Sequence, residues 1–248
     1  YCLFFILKKI NSITITRNYF VCYLLLLFKK EVVLEIHHDT NIEGRITKFI
    51  LKYLNFLNKK NLINIVAISN SVKNLFINKY KVESEKITVL PSGSSIKINQ
   101  PPRLCNNKRL KIGYFGSISP SKGINTLIKL SKIDQENDYY IYGGSREEIS
   151  RIKKKNINKN LFLHENVPYA GLSKIMLKMD ILTIPYTKII RSVGEVDEIS
   201  KYTSPLKLFD YLAVGKIIIS SDLKVLREVI SSKNAYFVNN YENIFEWK

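Results

Sequence analysis

The sequence predicts an α/β protein with doubly wound sheets of parallel strands, each sheet covered by helices. Three observations lead there. Short runs rich in Val, Ile, Thr and Tyr alternate with helical stretches, the pattern of strand–helix–strand units. Runs such as INIVAIS at 63–69 are apolar almost throughout, as strands buried on both faces must be. The alternation lapses once, from Ser92 to Asn107, and then restarts.

The elements follow in order. SITITR at 12–17 reads as a strand, 18–30 as a helix, EVVLEIH at 31–37 as a strand and 45–60 as a long helix. INIVAIS is the third strand, 71–81 a helix, and 86–90 a strand stopped by Pro91. The helix at 18–30 is apolar nearly all round and is expected to be covered on both sides. Gly93, Pro101-Pro102 and paired asparagines then mark a linker. Beyond it come strands at 110–116, 138–142, 161–165, 180–185, 216–221 and 235–239. They alternate with helices at 122–133, 146–155, 171–179, 205–214 and 223–230. The expected division is 1–98, a linker at 99–107, and 108–248. The second part has enough strands for a doubly wound unit and the first has too few.

A length of 248 residues suits two such domains, and 46% apolar residues exclude a disordered chain. Three scattered cysteines, Cys2, Cys22 and Cys105, form neither a disulfide framework nor a zinc site, so reduced cytoplasmic thiols are expected. The apolar start is followed by Lys8-Lys9 with no small-residue cleavage site, a poor signal peptide. Tyr19 to Phe28 is too short to span a bilayer, which needs about 20 residues. The net charge of +18 invites a polyanion or an anionic membrane as partner. Lys, Ile and Asn are enriched together, however, in loops and helices alike, which points to compositional bias and solvated charge.

Three segments carry chemistry. The first is Gly113-Tyr-Phe-Gly116-Ser117 with Lys122-Gly123 at the next helix start. A strand ending in Gly lets a ligand approach closely, and Lys122 with the first helical amides offers positive potential to an anion. An ordinary βα turn has the same pattern, and neither a Walker loop nor a G-x-G-x-x-G fingerprint is present. The second segment is Thr203 to Gly215, where Ser204 is a suitable N-cap and Pro205 a suitable first helical residue. The amides of Leu206 and Lys207, with the Lys207 ammonium, could hold a phosphate. Asp210, on the same face as Lys207, could accept hydrogen bonds from a ribose diol. The same residues also read as a capped helix with an i,i+3 ion pair. The third segment is Glu35-Ile36-His37-His38-Asp39, at a strand end where ligands of parallel sheets are met. Adjacent histidines point to opposite sides, so a shared metal is not expected. His164 reads as structural, and no nucleophile–base pair or metal-ligand cluster is recognisable.

Taken in order, these segments resemble the family-4 retaining glycosyltransferases of the GT-B fold, the glycosyl transferases group 1. The resemblance runs through Thr16-Arg17, VVLEIHH, IVAISNSVKNLF and ITVLPSGSS. It resumes with IGYFGSISPSKGINTLI, YIYGG, DILTIPY, SPLKLFDYLAVGKIIISSD and LREVI. It implies two Rossmann-like domains facing each other across a cleft, the first incomplete and on the acceptor side. The second would bind a nucleotide-diphosphate sugar. By this resemblance His37 contacts the transferred sugar. Gly116, Lys122, Lys207 and the Leu206 amide hold the diphosphate, flanked by Ser117 and Ser204, and Asp210 holds the ribose. The implied reaction moves a hexosyl unit from a UDP- or GDP-sugar to a glycan or lipid-linked acceptor with retained configuration. Orientation and charge stabilisation would carry it, with no metal or other cofactor. The family's first strand with its glycine-rich loop, and its closing helix, are expected outside this sequence.

Departures from the family pattern are Ser117 where many relatives have Arg, and Ser92-Gly93-Ser94-Ser95 where Asn-Gly-Val-Asp is common. Tyr202 and Asp210 stand where two glutamates eight apart are usual. Two other readings stay open, a nucleotide-sugar epimerase of the same fold and a non-catalytic nucleic-acid binder. No aromatic-plus-basic stacking module supports the latter, so no nucleic-acid partner is expected. Arg45, Lys48, Lys52 and Lys59 share one face of the helix at 45–60, with Ile46, Phe49, Ile50, Tyr53 and Leu57 on another. Such a helix suits either a core-packed position or peripheral contact with an anionic membrane.

Overall fold

The alternation of buried apolar runs with helical segments resolves into two all-parallel sheets. The computed structural model describes residues 12–38, 43–98, 108–155, 158–191 and 198–248. The linker expected at 99–107, and Cys2 and Cys105, lie outside the described residues. The chain divides into two compact units, Tyr1–Pro91 with Lys201–Ser204, and Ser92–Ser200 with Pro205–Lys248. Residues 92–98 thus cluster with the second unit.

In the first unit, β1 (Thr14–Thr16), β2 (Val32–Ile36), β3 (Leu62–Ala67) and β4 (Ile87–Val89) lie side by side in chain order. In β2 the period of two buries Val32, Leu34 and Ile36, and Leu34 stands opposite Ile65 of β3. Helix α1 (Tyr19–Leu27) is capped by the Asn18 side chain, which accepts from the Val21 amide at 3.0 Å. It buries Tyr19, Cys22, Leu25 and Leu26. The expected cover on both sides is corrected: Phe20 and Leu27 are 42% and 48% exposed among the described residues. Burial pushes the Cys22 thiol up to about 12, which makes it an inert core group.

Helix α2 (Arg45–Tyr53) is shorter than the periodicity suggests. Asn55 adopts a left-handed conformation with φ of 40° and ends the helix, as Asn does more readily than most residues. A 3-10 turn at Phe56–Asn58 then buries Phe56 and Leu57. Lys59 and Leu57 therefore leave the helical faces expected for them. Helix α3 (Asn70–Tyr80) is capped by Ser69, whose hydroxyl accepts from the Val72 amide at 3.2 Å, and it buries Val72 and Phe76.

The second unit holds β5 (Lys111–Phe115), β6 (Asp138–Gly144), β7 (Leu161–Glu165), β8 (Ile181–Ile184), β9 (Ile217–Ser221) and β10 (Tyr236–Val238). Their spatial order is β10-β9-β8-β5-β6-β7, so the chain reverses direction between β5 and β8. Ligands of open parallel sheets bind beyond the carboxyl ends of strands at such a reversal. Helices α4 (Ile124–Ile133), α5 (Arg146–Lys155), α6 (Tyr169–Met176), α7 (Leu206–Val214) and α8 (Lys224–Arg227) follow. The last is half the length expected at 223–230. One sheet face packs Tyr114, Leu127, Tyr139 and Ile141, and the other Phe115, Met176, Leu182, Leu208 and Tyr211. His164 stacks on Tyr142 with ring centroids 4.4 Å apart, in keeping with its structural reading.

Candidate functional site

The reversal of strand order places the ends of β5 and β8 at one sheet edge, and the start of α7 comes to the same place. β5 runs into Gly116, whose φ of 139° is open chiefly to glycine. A Cβ on Gly116 would collide with the Lys207 ammonium, and one on Gly143 (φ 135°) with the carbonyl of Gly116. Two backbones therefore meet here because neither residue has a side chain. The Gly116 amide donates to the Tyr142 carbonyl at 2.8 Å across this contact.

Lys207 enters from α7. Its Nζ donates to the Tyr114 hydroxyl at 2.8 Å, and that hydroxyl donates to the Ser117 carbonyl at 2.9 Å. The ammonium sits 4.0 Å from the Tyr114 ring centroid and 5.3 Å from that of Tyr186. Lys122, in a 3-10 turn at Pro120–Lys122, is buried with its Nζ 4.9 Å from the same Tyr186 ring. Burial holds the Lys207 pKa well below the ordinary lysine range, and the charge of Lys122 lowers it further. Among the described residues no carboxylate pairs with Lys207. A half-buried amine with a lowered pKa and no counter-charge favours an arriving anion, which restores its proton. The amides of Leu206 and Lys207 add to this, since a helix's first-turn amides have no acceptor within it.

Pro205, and not Ser204, is the N-cap of α7, and no side chain caps the helix. The expected Ser204 cap is thus corrected, because the helix begins one residue later. Ser204 clusters with the first unit, and its buried Oγ has no hydrogen-bond partner among the described residues. The i,i+3 pair of Lys207 and Asp210 is also absent. Asp210 is buried and its Oδ1 accepts from Ser94 Oγ at 2.6 Å and Tyr169 OH at 2.9 Å. Ser94→Ala is expected to lower unfolding stability by about 1–2 kcal/mol, since a charge-assisted hydrogen bond is lost and Tyr169 remains. Urea denaturation checks this.

Of the expected residues in the second unit, Gly116, Lys207 and Asp210 share one cavity, whereas Ser117, Lys122 and Leu206 are not part of its lining. That cavity, of about 200 Å³, is lined by Gly116, Gly143, Asn166, Lys207 and Asp210 among others. His37 belongs to the first unit, directly after β2. Its Nε2 lies 2.7 Å from Glu35 Oε1, and Arg17 donates to both Glu35 oxygens at 2.9 and 3.0 Å. Hydrogen bonds from Arg17 hold the Glu35 carboxyl below the usual glutamate range, so it is ionised near neutral pH and can only accept. The Nε2–H must then be the donor in this contact, which fixes the ring's orientation at the end of β2.

Sequence reasoning missed Ser94, Tyr169, Tyr186 and Gly143. Gly143 carried a usable signal, a glycine at a strand end as at Gly116. The tyrosines carried none, because their partners are remote in sequence. Among the described residues no group of three or more His, Cys, Asp or Glu could hold a metal ion.

The class these features define is a doubly wound α/β unit with a cationic ligand crevice at its strand-order reversal. Residues 95–246 match the family described as glycosyl transferases group 1, and the chain belongs to that family. A comparison with curated proteins finds no match. Among solved structures, HepE of Anabaena in complex with UDP and glucose is 14% identical, with a TM-score of 0.61 over 92% of this chain and 64% of that one. The lipopolysaccharide outer core galactosyltransferase WaaB in its apo form is 15% identical, with a TM-score of 0.67 over 99% and 66%. A glycosyltransferase from Rickettsia africae is 17% identical, with a TM-score of 0.66 over 93% and 64%. The fold is thus that of GT-B glycosyltransferases, with Rossmann-like units. The chain spans about two thirds of the length of these structures.

Proposed function

We propose that the protein transfers a hexosyl unit from a UDP- or GDP-sugar to a glycan or lipid-linked acceptor with retention of configuration. The observation that carries this reading is the half-buried Lys207 amine at the β5–β8 reversal, with which no carboxylate pairs among the described residues. In this reading Gly116 gives the diphosphate close approach, and Lys122, Lys207 and the Leu206 amide hold it. Ser117 and Ser204 flank it, and Asp210 receives the ribose. Charge developing on the departing diphosphate is stabilised by groups already in place, which lowers the barrier without reorganisation. His37, aligned by Glu35, contacts the transferred sugar. UDP in the HepE complex and the galactosyltransferase name of WaaB support this donor class. A product assay with UDP- and GDP-hexoses tests it, since transfer to an added acceptor is expected and an epimerised donor would overturn it.

His37→Ala is expected to lower the transfer rate about 100-fold or more while changing nucleotide affinity less than about threefold. Calorimetry and initial rates on one preparation separate the two. Equal losses in both would make His37 a supporting residue only.

The protein is also read as peripheral to the cytoplasmic face of a membrane, through Arg45–Tyr53. No helix among the described residues is long and apolar enough to cross one. Ile46, Phe49 and Tyr53 are 68%, 56% and 60% exposed and lie beside Arg45, Lys48 and Lys52.

A further inference from the structure

The hydrogen bonds of the Asp210 carboxylate are unevenly shared between its two oxygens. Ser94 Oγ donates to Oδ1 at 2.6 Å, and Tyr169 OH donates to the same oxygen at 2.9 Å. Among the described residues no hydrogen bond reaches Oδ2. A carboxylate offers about four acceptor positions, two on each oxygen. Those on Oδ1 are taken, and those on Oδ2 are left for a ligand of the cavity that Asp210 lines. The χ2 torsion of aspartate is broad by itself, so the two hydroxyls decide which oxygen faces away from them.

Both donors are themselves held, and all of these residues belong to the second unit. Ser94 Oγ accepts from the Ile96 amide at 3.0 Å, and Ile96 packs against the core that contains Leu208 and Tyr211. Tyr169 opens α6, and its hydroxyl accepts from Ser95 Oγ at 3.3 Å. Ser95, Tyr169 and Asp210 thus form a chain in which each hydrogen bond polarises the next. Ser94 and Asp210 are also positions where the sequence departs from the family pattern, and the two departures meet in one hydrogen bond. A valine at position 94 would have no proton to give. We infer that Ser94 and Tyr169 are positioning residues, which fill Oδ1 and fix the Asp210 carboxylate so that Oδ2 meets the vicinal diol of a ribose. The inference rests on the donor reading proposed above and adds the residues that set its preference for a ribose over a sugar without those hydroxyls.

The test is calorimetric titration of the full chain with UDP, GDP and their 2′,3′-dideoxy counterparts. The wild type is expected to bind the better diphosphate about tenfold or more as tightly as its dideoxy form, because the diol's bonds to a charged acceptor are lost. Tyr169→Phe removes one hydroxyl and keeps a ring that is already 50% exposed. It is expected to cut that ratio by about threefold or more, while affinity for the dideoxy form changes less than about twofold. Ser94→Ala combined with it is expected to bring the ratio below about threefold. Melting curves confirm that the variants are folded during the titration, and Tyr169→Phe alone carries the test where the double variant melts early. A ratio unchanged in the variants, whether or not both affinities fall, would make the two residues structural only and overturn the inference. A ratio that rises would also overturn it, because the hydroxyls would then compete with the diol for Asp210. In both cases the donor reading stands. A wild type that binds a diphosphate without preferring the ribose form would overturn the ribose assignment of Asp210 together with the inference. One that binds neither diphosphate would overturn the donor reading itself.

Discussion

Replacing Lys207 by Met is expected to weaken binding of the nucleoside diphosphate by about 10- to 150-fold, because one charge-assisted hydrogen bond contributes about 1.5–3 kcal/mol. The affected ligand group can be told from proton linkage. Without an anion, burial and the neighbouring Lys122 hold the Lys207 pKa below the ordinary range, which favours the neutral amine. A diphosphate in contact with the amine raises that pKa again. Binding therefore takes up a proton wherever the pH lies between the ligand-free and ligand-bound values. Affinity rises as the pH falls through that interval. Calorimetry in buffers of differing ionisation enthalpy measures the uptake, which is expected to disappear in Lys207→Met. Methionine keeps the length and apolar stem of the side chain, so the volume is conserved while the charge is lost, together with its contacts to the Tyr114 and Tyr186 rings and its hydrogen bond to the Tyr114 hydroxyl.

Gly143→Ala is expected to destabilise the second unit by about 2–4 kcal/mol and to lower donor affinity as well. The new Cβ would meet backbone, the carbonyl of Gly116, at a φ of 135° where no side chain is comfortable. Backbone cannot swing aside as a side-chain tip can, so the turn after β5 must shift and carry the Lys207 contact with it. Gly93→Ala is the matching control, since nothing lies within 4 Å of its would-be Cβ. It is expected to change stability by less than about 0.5 kcal/mol. Thermal denaturation of both variants makes the comparison.

The elements were legible in the sequence where one physical cause dominated. The apolar run INIVAIS was legible as a strand, and β3 is the third strand of a parallel sheet, but the burial on both faces expected of it is corrected at Ile63, which is 43% exposed. Glycine at Gly116 and lysine at Lys207 were legible as a close-approach turn and a cationic helix start, because residue type alone limits what such positions do. Boundaries set by a single backbone angle were less legible. Asn55 ends α2 five residues or more before the periodicity does, and Pro205 takes the capping position that Ser204 was expected to fill. The partners of the site residues were not legible at all. Tyr114 and Lys207 are 93 residues apart, and Ser94 and Asp210 are 116 apart, so only the folded sheet brings each pair together. The Asp210 carboxylate shows what this hides, for its place on α7 was readable and its two hydroxyl donors were not.

The central claim is that the crevice at the β5–β8 reversal holds a diphosphate group and not merely a nucleoside. It is tested most directly by titrating the full chain with UDP, GDP, uridine and guanosine under one set of conditions. The account predicts that at least one diphosphate binds ten times or more as tightly as its nucleoside, and that Lys207→Met removes most of the difference. Diphosphate and nucleoside binding with equal affinity, or a difference that survives in Lys207→Met, would contradict it.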